Sequence, residues 1–359
     1  MTLLRLRRYA VGRTLFRPTT LGAAIDRLGF VQADPIRAPA RAQDLILRHR
    51  ARGYLAGDLE RRYSRLPIEE DAFVNYGYLP RETALRMHPR TPRRAWSPRD
   101  QERAAQVLDF VRDQGVVHPR EVEAHFQHGR VTNWFGGTSN ASTQLLDGMH
   151  YRGMLRVAGR VGGTRTYAVA VPPEHALDPV TTFADLLDVA VRLYAPVPRA
   201  TLGQLASYLG YGAPQYRAHR KEVLSLARER YHWQVVEGVE YGWPRDEDPG
   251  SRRWDPRPQL RLLAPFDPIV WDRLRFEHLW GWRYTFEAYV PAARRVRGYY
   301  ALPVLWQDRV IGWANLSVRE GTLRHDLGYA DGGPPTQATF TAELERELAA
   351  MAEFLGLPG

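Results

Sequence analysis

Pro18-Thr19-Thr20-Leu21-Gly22-Ala23-Ala24-Ile25-Asp26-Arg27-Leu28-Gly29-Phe30 has a counterpart in Pro198-Arg199-Ala200-Thr201-Leu202-Gly203-Gln204-Leu205-Ala206-Ser207-Tyr208-Leu209-Gly210-Tyr211. Aligned on Thr-Leu-Gly, Leu21 matches Leu202, Leu28 matches Leu209, Gly29 matches Gly210 and Phe30 matches Tyr211. A looser copy is His118-Pro119-Arg120-Glu121-Val122-Glu123-Ala124-His125-Phe126. Each copy predicts a short amphipathic helix entered through proline, and the outer two close on glycine. That is the pattern of the second helix of a helix-turn-helix, met three times in one chain.

The flanking sequence extends each copy. Before His118 lies a helical period over 98–114, carried by Ala105, Leu108 and Val111. After Phe126 comes a helix over 140–153, and then two strand-like runs at 155–169 around Gly162-Gly163, which predict a β-hairpin. Three helices and a hairpin make a winged helix. The last copy predicts the same: a helix at 181–194, the repeat, a basic helix at 214–230 and strands about Glu237-Gly238-Val239. The first copy predicts a helix, the repeat helix, a Gln-Ala-Asp turn and an arginine-faced helix. Linkers are expected at 88–99, 171–179 and 244–258, all rich in proline. Beyond Gln259 the texture changes to strands at 284–290, 298–305 and 310–318, then a helix from about Thr339 to Phe354. The expected fold is therefore α+β: three tandem winged-helix units (1–95, 96–172, 179–245), a small C-terminal β-barrel (257–359) and a terminal helix.

At 359 residues, two to four compact units are expected, and 44% hydrophobic against 25% charged residues fits a folded chain. No apolar run approaches the ~20 residues a membrane helix needs. The basic N-terminus does not read as a signal peptide, so a cytoplasmic, monomeric protein is expected. The absence of cysteine removes disulfides, thiolate nucleophiles, iron–sulfur clusters and zinc knuckles. Net charge is +10, and Lys221 is the only lysine among 50 basic residues. A GC-rich genome accounts for such a bias without selection. Its physical consequence stands: arginine binds phosphate through a planar fork and stacks on bases, which suits a nucleic-acid partner.

The first repeat leads directly into Val31-Gln32-Ala33-Asp34-Pro35-Ile36-Arg37, then Arg41 and Arg48. Gln32 and Asp34, two apart, leave the same face of an extended backbone. Asp34 before Pro35 reads as a helix N-cap with proline at the first helical position. Arg37, Arg41 and Arg48, at spacings of four and seven, then fall on one helix face. A cap alone explains Asp34, and a turn residue explains Gln32. The functional reading is a carboxylate that positions water beside an amide that holds substrate, and a capped aspartate suits both roles. Arg156, Arg160 and Arg165 on the second hairpin are candidate phosphate contacts.

Other candidates are weaker. His118, His125 and His128 lack a carboxylate in register, so helix-end roles are expected and no metal is assigned. Gly159-to-Thr166 lacks the ending of a phosphate loop, and Phe135-to-Ser139 is not a nucleophile elbow. Glu69-Glu70-Asp71 reads as a solvated acidic face.

Three passages resemble the winged-helix DNA glycosylases of the AlkZ/YcaQ family: Gly29-to-Asp34 with Arg41-Ala42; Leu262-Leu263-Ala264-Pro265-Phe266-Asp267-Pro268-Ile269-Val270-Trp271-Asp272-Arg273; and Tyr289-Val290-Pro291 with Gly298-Tyr299-Tyr300-Ala301-Leu302-Pro303-Val304-Leu305 and Asp308-Arg309. The resemblance spans nearly the whole chain. It implies three winged helices and a β-barrel around a basic channel, and an enzyme that releases N7-alkylated purines and unhooks interstrand crosslinks. The family's catalytic pair, Gln-x-Gln or Gln-x-Asp, falls on Gln32 and Asp34. The sequence departs from the family where Gln43-Asp44 replaces a pair of histidines, and near Phe73-to-Tyr78, where a Trp-x-His is absent. The expected function is thus a monofunctional DNA repair glycosylase without a cofactor. Its partner is double-stranded DNA carrying alkylated or crosslinked purines, in the nucleoid of a bacterium. A non-catalytic winged-helix regulator or lesion sensor is the alternative.

Overall fold

The structure, a computed structural model, describes residues 1–92, 94–132, 138–171 and 178–358. Phe135, Gly136 and Gly137, with most of the 171–179 linker, lie outside the described residues. Among those described, no helix is long and apolar enough to cross a membrane.

The chain opens with α1 (Leu3–Thr14), α2 (Leu21–Leu28), β1 (Val31–Gln32), α3 (Ala42–Leu47), α4 (Asp58–Arg62), β2 (Ile68–Ala72), β3 (Tyr76–Pro80) and α5 (Arg81–Leu85). The hydroxyls of Thr2 and Thr20 accept the orphan N–H groups of Arg5 and Ala23, so α1 and α2 begin where side chains can cap them. Gly29 ends α2 at φ 73°, a conformation glycine adopts without steric cost. The turn delivers β1 to the edge of an antiparallel sheet ordered β1-β3-β2.

No arginine-faced helix follows. Residues 33–41 are irregular, and α3 spans six residues with Arg41 as its N-cap and Arg48 as its C-cap. Two local effects defeat the helical spacing. The Asp34 carboxylate accepts the Ile36 N–H at 2.9 Å, closing a turn on itself, and Pro39 disfavours helical backbone at Ala38. Arg37, Arg41 and Arg48 consequently do not share a helix face.

Gly77 stands opposite Gln32 in the β1–β3 register. A Cβ there would lie 2.2 Å from the Val31 carbonyl oxygen and 2.7 Å from the Phe30 ring, both held by the core. Gly77→Ala is expected to push β1 off the sheet and to displace Gln32. Protection of the β1 amides in hydrogen exchange should fall sharply, and unchanged protection would contradict this.

Next come α6 (Pro98–Gln114), α7 (Pro119–Phe126), β4 (Arg130–Thr132), β5 (Thr138–Asn140), α8 (Ala141–Tyr151), β6 (Leu155–Val161) and β7 (Thr164–Val169). α9 (Pro179–Tyr194), β8 (Val197–Pro198), α10 (Arg199–Gly212), α11 (Arg220–Arg230), β9 (Tyr231–Val236) and β10 (Val239–Pro244) follow. The three repeat copies are α2, α7 and α10. β6 and β7 form a hairpin turning at Gly162-Gly163, and β9 and β10 turn at Glu237-Gly238. Just before the second and third copies, the chain touches its own hairpin: Val117 bridges Tyr167, and β8 pairs with β10.

The C-terminal portion contains β11 (Leu260–Leu262), α12 (Pro268–Trp271), α13 (Arg273–Trp280), β12 (Leu302–Trp306), β13 (Arg309–Arg319), β14 (Thr322–Tyr329) and α14 (Ala338–Phe354). Its sheet is open, ordered β11-β12-β13-β14, and is not the closed barrel expected. α14 packs against both β11 and β14, covering the sheet where closure would otherwise be needed. Residues 284–290, expected as a strand, are irregular, and Glu287 within them is committed to a loop further along the chain. The buried Glu287 carboxylate accepts the N–H groups of Val296, Arg297 and Gly298 at 2.9, 2.8 and 3.2 Å.

One apolar cluster runs from Phe16 to Phe354 through every portion of the chain. Buried polar locks cross it. Arg50 and Asp267, both fully buried, form a two-pronged pair at 2.8 and 3.0 Å. Arg275 donates to the carbonyls of Tyr194 and Pro268, and Thr201 donates to Asp272 at 2.6 Å.

Candidate active site

Gln32 ends β1, and pairing continues one residue further through the Ala33 N–H and the Tyr76 carbonyl at 2.9 Å. This extended segment keeps Gln32 and Asp34 on one face. Gln32 is 5% exposed, and its Oε1 is buried without a hydrogen-bond partner. A buried amide oxygen left unmatched costs stability unless something else is meant to meet it.

Asp34 is half-buried. Its carboxylate accepts from Ile36 only among the described residues, and no arginine or lysine lies within ion-pair reach. Burial pushes its carboxyl above the usual range, with the Ile36 N–H working weakly the other way. The backbone N–H of Asp34 reaches the Oε1 of Gln43 at 3.4 Å, and Gln43 is itself buried. Asp44 is spent structurally, accepting from the Tyr54 hydroxyl at 2.7 Å and the Gly57 N–H at 3.0 Å.

A third polar group comes from the far end of the chain. Tyr300 is 3% exposed and its hydroxyl has no hydrogen-bond partner. Burial first, then the Asp34 carboxylate, push its phenol well up, so it remains a donor. Its ring stands edge-on to Phe286 at 5.4 Å. Tyr300 is thus close enough to Asp34 to feel its charge, and Gln32 lies two residues before that carboxylate. Such a set can hold a water molecule and stabilise positive charge beside it. Residue-by-residue reading missed Tyr300; its only signal was its place in the Gly-Tyr-Tyr-Ala-Leu-Pro passage.

The predicted basic residues fare unequally. Arg37 is exposed in the loop beside Asp34 and makes no ion pair among the described residues. Arg41 is paired with Glu60, and Arg37 and Arg160 are its nearest like charges. Arg48 is turned inward, its side chain 4% exposed and bonded to Glu347 at 2.7 Å, which removes it from any DNA-facing surface. Arg156 pairs with Glu69 at 2.9 Å, Arg160 grips Glu70, and Arg165 reaches Asp147 at 3.1 Å and Glu70 at 3.5 Å. The acidic run 69–71 is therefore not a solvated face. It is buried on β2 and holds the β6–β7 hairpin against the first sheet.

Asp71 lies at the centre of that weld, accepting from His88 at 2.7 Å and Arg90 at 2.9 Å. Burial alone would raise the carboxyls of Glu70 and Asp71. Arg160 and Tyr76 override it at Glu70, and Arg90 and His88 at Asp71, so both are held below the usual range. Depressed folded-state values mean stability that is complete above the ordinary carboxylate range and lost as pH falls through them. Melting temperature is expected to drop steeply below about pH 4, with Glu70→Gln flattening part of that slope. Circular-dichroism melts across the acid range measure this, and a flat profile in the wild type would refute it.

Among the described residues, no group of three His, Asp or Glu side chains is arranged to hold a metal ion. His118 caps α7, its ring accepting the Arg120 N–H, and the Nδ1 of His128 meets Ser142 at 3.0 Å.

A family model described as DNA glycosylase AlkZ-like matches residues 25–354. Among solved structures, the Streptomyces sahachiroi DNA glycosylase AlkZ superposes with a TM-score of 0.62 at 15% sequence identity, covering 99% of this chain and 97% of that one. At that identity the structural match speaks to the fold alone.

Proposed function

The chain belongs to the AlkZ-like DNA glycosylase family, and from that premise we propose that it hydrolyses the N-glycosidic bond of N7-alkylated purines in double-stranded DNA, crosslinked purines included. The observation that carries this reading is the desolvated, unpaired Asp34 carboxylate flanked by two buried polar groups without partners.

N7 alkylation makes a purine cationic, so the base leaves as a neutral species and needs no strong general acid. What the reaction needs is negative charge beside the developing oxocarbenium sugar and a water held for attack, as in glycoside hydrolysis. A carboxylate made more basic by burial serves both needs. Gln32 Oε1 accepts from that water, and the Tyr300 hydroxyl donates to the sugar or water oxygen. Lys221, the only lysine, sits in the first turn of α11 in the third helix–hairpin portion, whereas Asp34 lies in the first. A hydrolytic, monofunctional enzyme follows. We read 1–95, 96–172 and 179–245 as winged-helix units that carry the duplex to this carboxylate, followed by a C-terminal unit at 257–359.

Arg37 is the arginine best placed to grip phosphate, since its fork is unspent. For Arg156, Arg160 and Arg165 the reading is narrower: their carboxylates orient the hairpin, and the remaining N–H groups share the DNA backbone. Arg37→Ala is expected to weaken duplex binding uniformly across sequences and to lower the salt-dependence slope by about 1. Fluorescence anisotropy over a salt series reads both quantities, and an unchanged slope would remove Arg37 from the interface.

The function itself is tested by incubating the protein with duplex containing 7-methylguanine or a nitrogen-mustard crosslink. Release of free base, or conversion of the crosslink to single strands after backbone cleavage, is expected. Binding without release would favour a lesion sensor.

A further inference from the structure

A basic cleft lies apart from Asp34. A cleft of about 900 Å³ opens between α1, α2, the end of α9 and residues 246–261, and Gln307 at the β12–β13 turn closes one side. The cleft is separate from the Asp34 site. Gln307 follows β12 and Tyr300 precedes it, so the length of that strand intervenes, roughly 15 Å or more at ~3.3 Å per residue.

The walls of the cleft carry more positive charge than they can neutralise. Arg13 is taken by Glu247 at 2.7 Å, and Arg192 by Asp188 and Asp246 at 2.8 and 3.2 Å. Asp255 on the same wall is taken by Arg5 and Arg8. Arg17, Arg27, Arg253, Arg257 and Arg261 remain, and none of them has a carboxylate within 4 Å among the described residues. Arg261 donates only to Gln259, at 2.6 Å. Burial, with Arg50 and Arg257 nearby, pushes its guanidinium down to about 10, although Glu347 acts in its favour. Burial likewise lowers Arg27, which lies over the Phe16 ring at 4.2 Å. That contact fixes its guanidinium on the cleft wall before any ligand arrives.

Five unneutralised guanidinium groups around one concavity repel one another, and an anion with several oxygens relieves that repulsion through two-pronged hydrogen bonds. The volume exceeds what inorganic phosphate fills and suits a ligand of nucleotide size. We propose that this cleft binds a phosphate ester carrying at least two negative charges. The ester is supplied either by a free nucleotide or by the backbone of a DNA strand that has left the duplex. The cleft does so independently of the Asp34 site.

Calorimetric titration of the full-length protein with inorganic tripolyphosphate, at physiological ionic strength, tests this. Saturable binding is expected in the wild type, and the double variant Arg17→Glu/Arg257→Glu should weaken it by roughly tenfold or more. Both residues are exposed, and Arg17→Gln/Arg257→Gln should give a smaller loss in a protein with the wild-type melting temperature. Competition then separates the sources: displacement by adenosine triphosphate alone points to a free nucleotide, and displacement by a 5′-phosphorylated tetranucleotide as well points to a strand. Base release from methylated duplex should be unchanged in the double variant. Absence of saturable binding, equal binding by the double variant, or a parallel loss of base release would each overturn the proposal.

Discussion

Asp34→Asn is expected to lower base release from N7-methylated duplex by roughly 10²–10⁴-fold while leaving duplex affinity almost unchanged. The amide keeps the shape of the carboxylate and its acceptor for the Ile36 N–H, at 2.9 Å in the wild type, so the turn survives. What disappears is the negative charge beside the sugar and the base that takes a proton from water. The pH dependence has a definite sign. The proposed mechanism requires the ionised form, and burial raises the folded-state pKa of Asp34. The rate should therefore fall as pH drops through a value above the ordinary carboxylate range, and Asp34→Asn should lack that acid limb. Stability moves the other way. A raised folded-state pKa is a contribution present below the unfolded value and lost as pH rises through the folded one. At neutral pH the ionised Asp34 thus costs stability, and Asp34→Asn should melt no lower than wild type. Single-turnover base release across pH, anisotropy for binding and a thermal melt cover the three statements. A variant that melts early, or retains wild-type release, would end the catalytic assignment.

Asp267→Ala is expected to be the most damaging single change to the fold, costing about 3–5 kcal/mol. Its carboxylate takes both prongs of Arg50, and a third contact caps the Ile269 N–H at 3.0 Å. Arg50 also donates to the carbonyls of Thr14 and Ile46, at 3.0 and 2.7 Å, so it cannot swing out to water. Removing the aspartate leaves a full positive charge inside the core, facing only carbonyl dipoles. Removing both charges is a different matter, because the desolvation cost leaves with them. Arg50→Met/Asp267→Leu should recover most of the loss, a coupling readable in a double-mutant cycle by urea denaturation. Equal stability of Asp267→Ala and wild type would show that the pair contributes nothing. Since Arg50 follows α3 and Asp267 precedes α12, the pair ties the portion that carries Asp34 to the C-terminal portion that supplies Tyr300.

The helices were legible because their information is local. Proline at the starts and apolar period behind it specify α2, α7 and α10 within a dozen or so residues each, with glycine near the ends of the outer two. The Gly162-Gly163 and Glu237-Gly238 turns are legible for the same reason. Local spacing misled where a side chain redirected the backbone. Asp34 took the Ile36 amide and broke the expected arginine helix, and Glu287, inside the expected 284–290 strand, reaches ahead to the amides of 296–298 instead. The open C-terminal sheet was misjudged as a barrel because strand texture does not say what covers an edge. Here a helix does, and α14 lies against both outer strands.

The sequence by itself determined the repeated helices and hairpins and the family, and it singled out Gln32 and Asp34 as the candidate pair. Those follow from interactions within a few residues, or from passages quoted intact. Tertiary structure alone decided which charges are free. Glu69, Glu70 and Asp71 are neutralised by arginines that include Arg160, ninety residues from Glu70, Arg48 is turned inward to Glu347, and Arg37 is left outside. It alone brought Tyr300 to Asp34 and collected Arg17, Arg27, Arg253, Arg257 and Arg261 around one cleft. A charge pattern along a chain does not reveal its partners, because ion pairing depends on distance in space and on the water that folding removes.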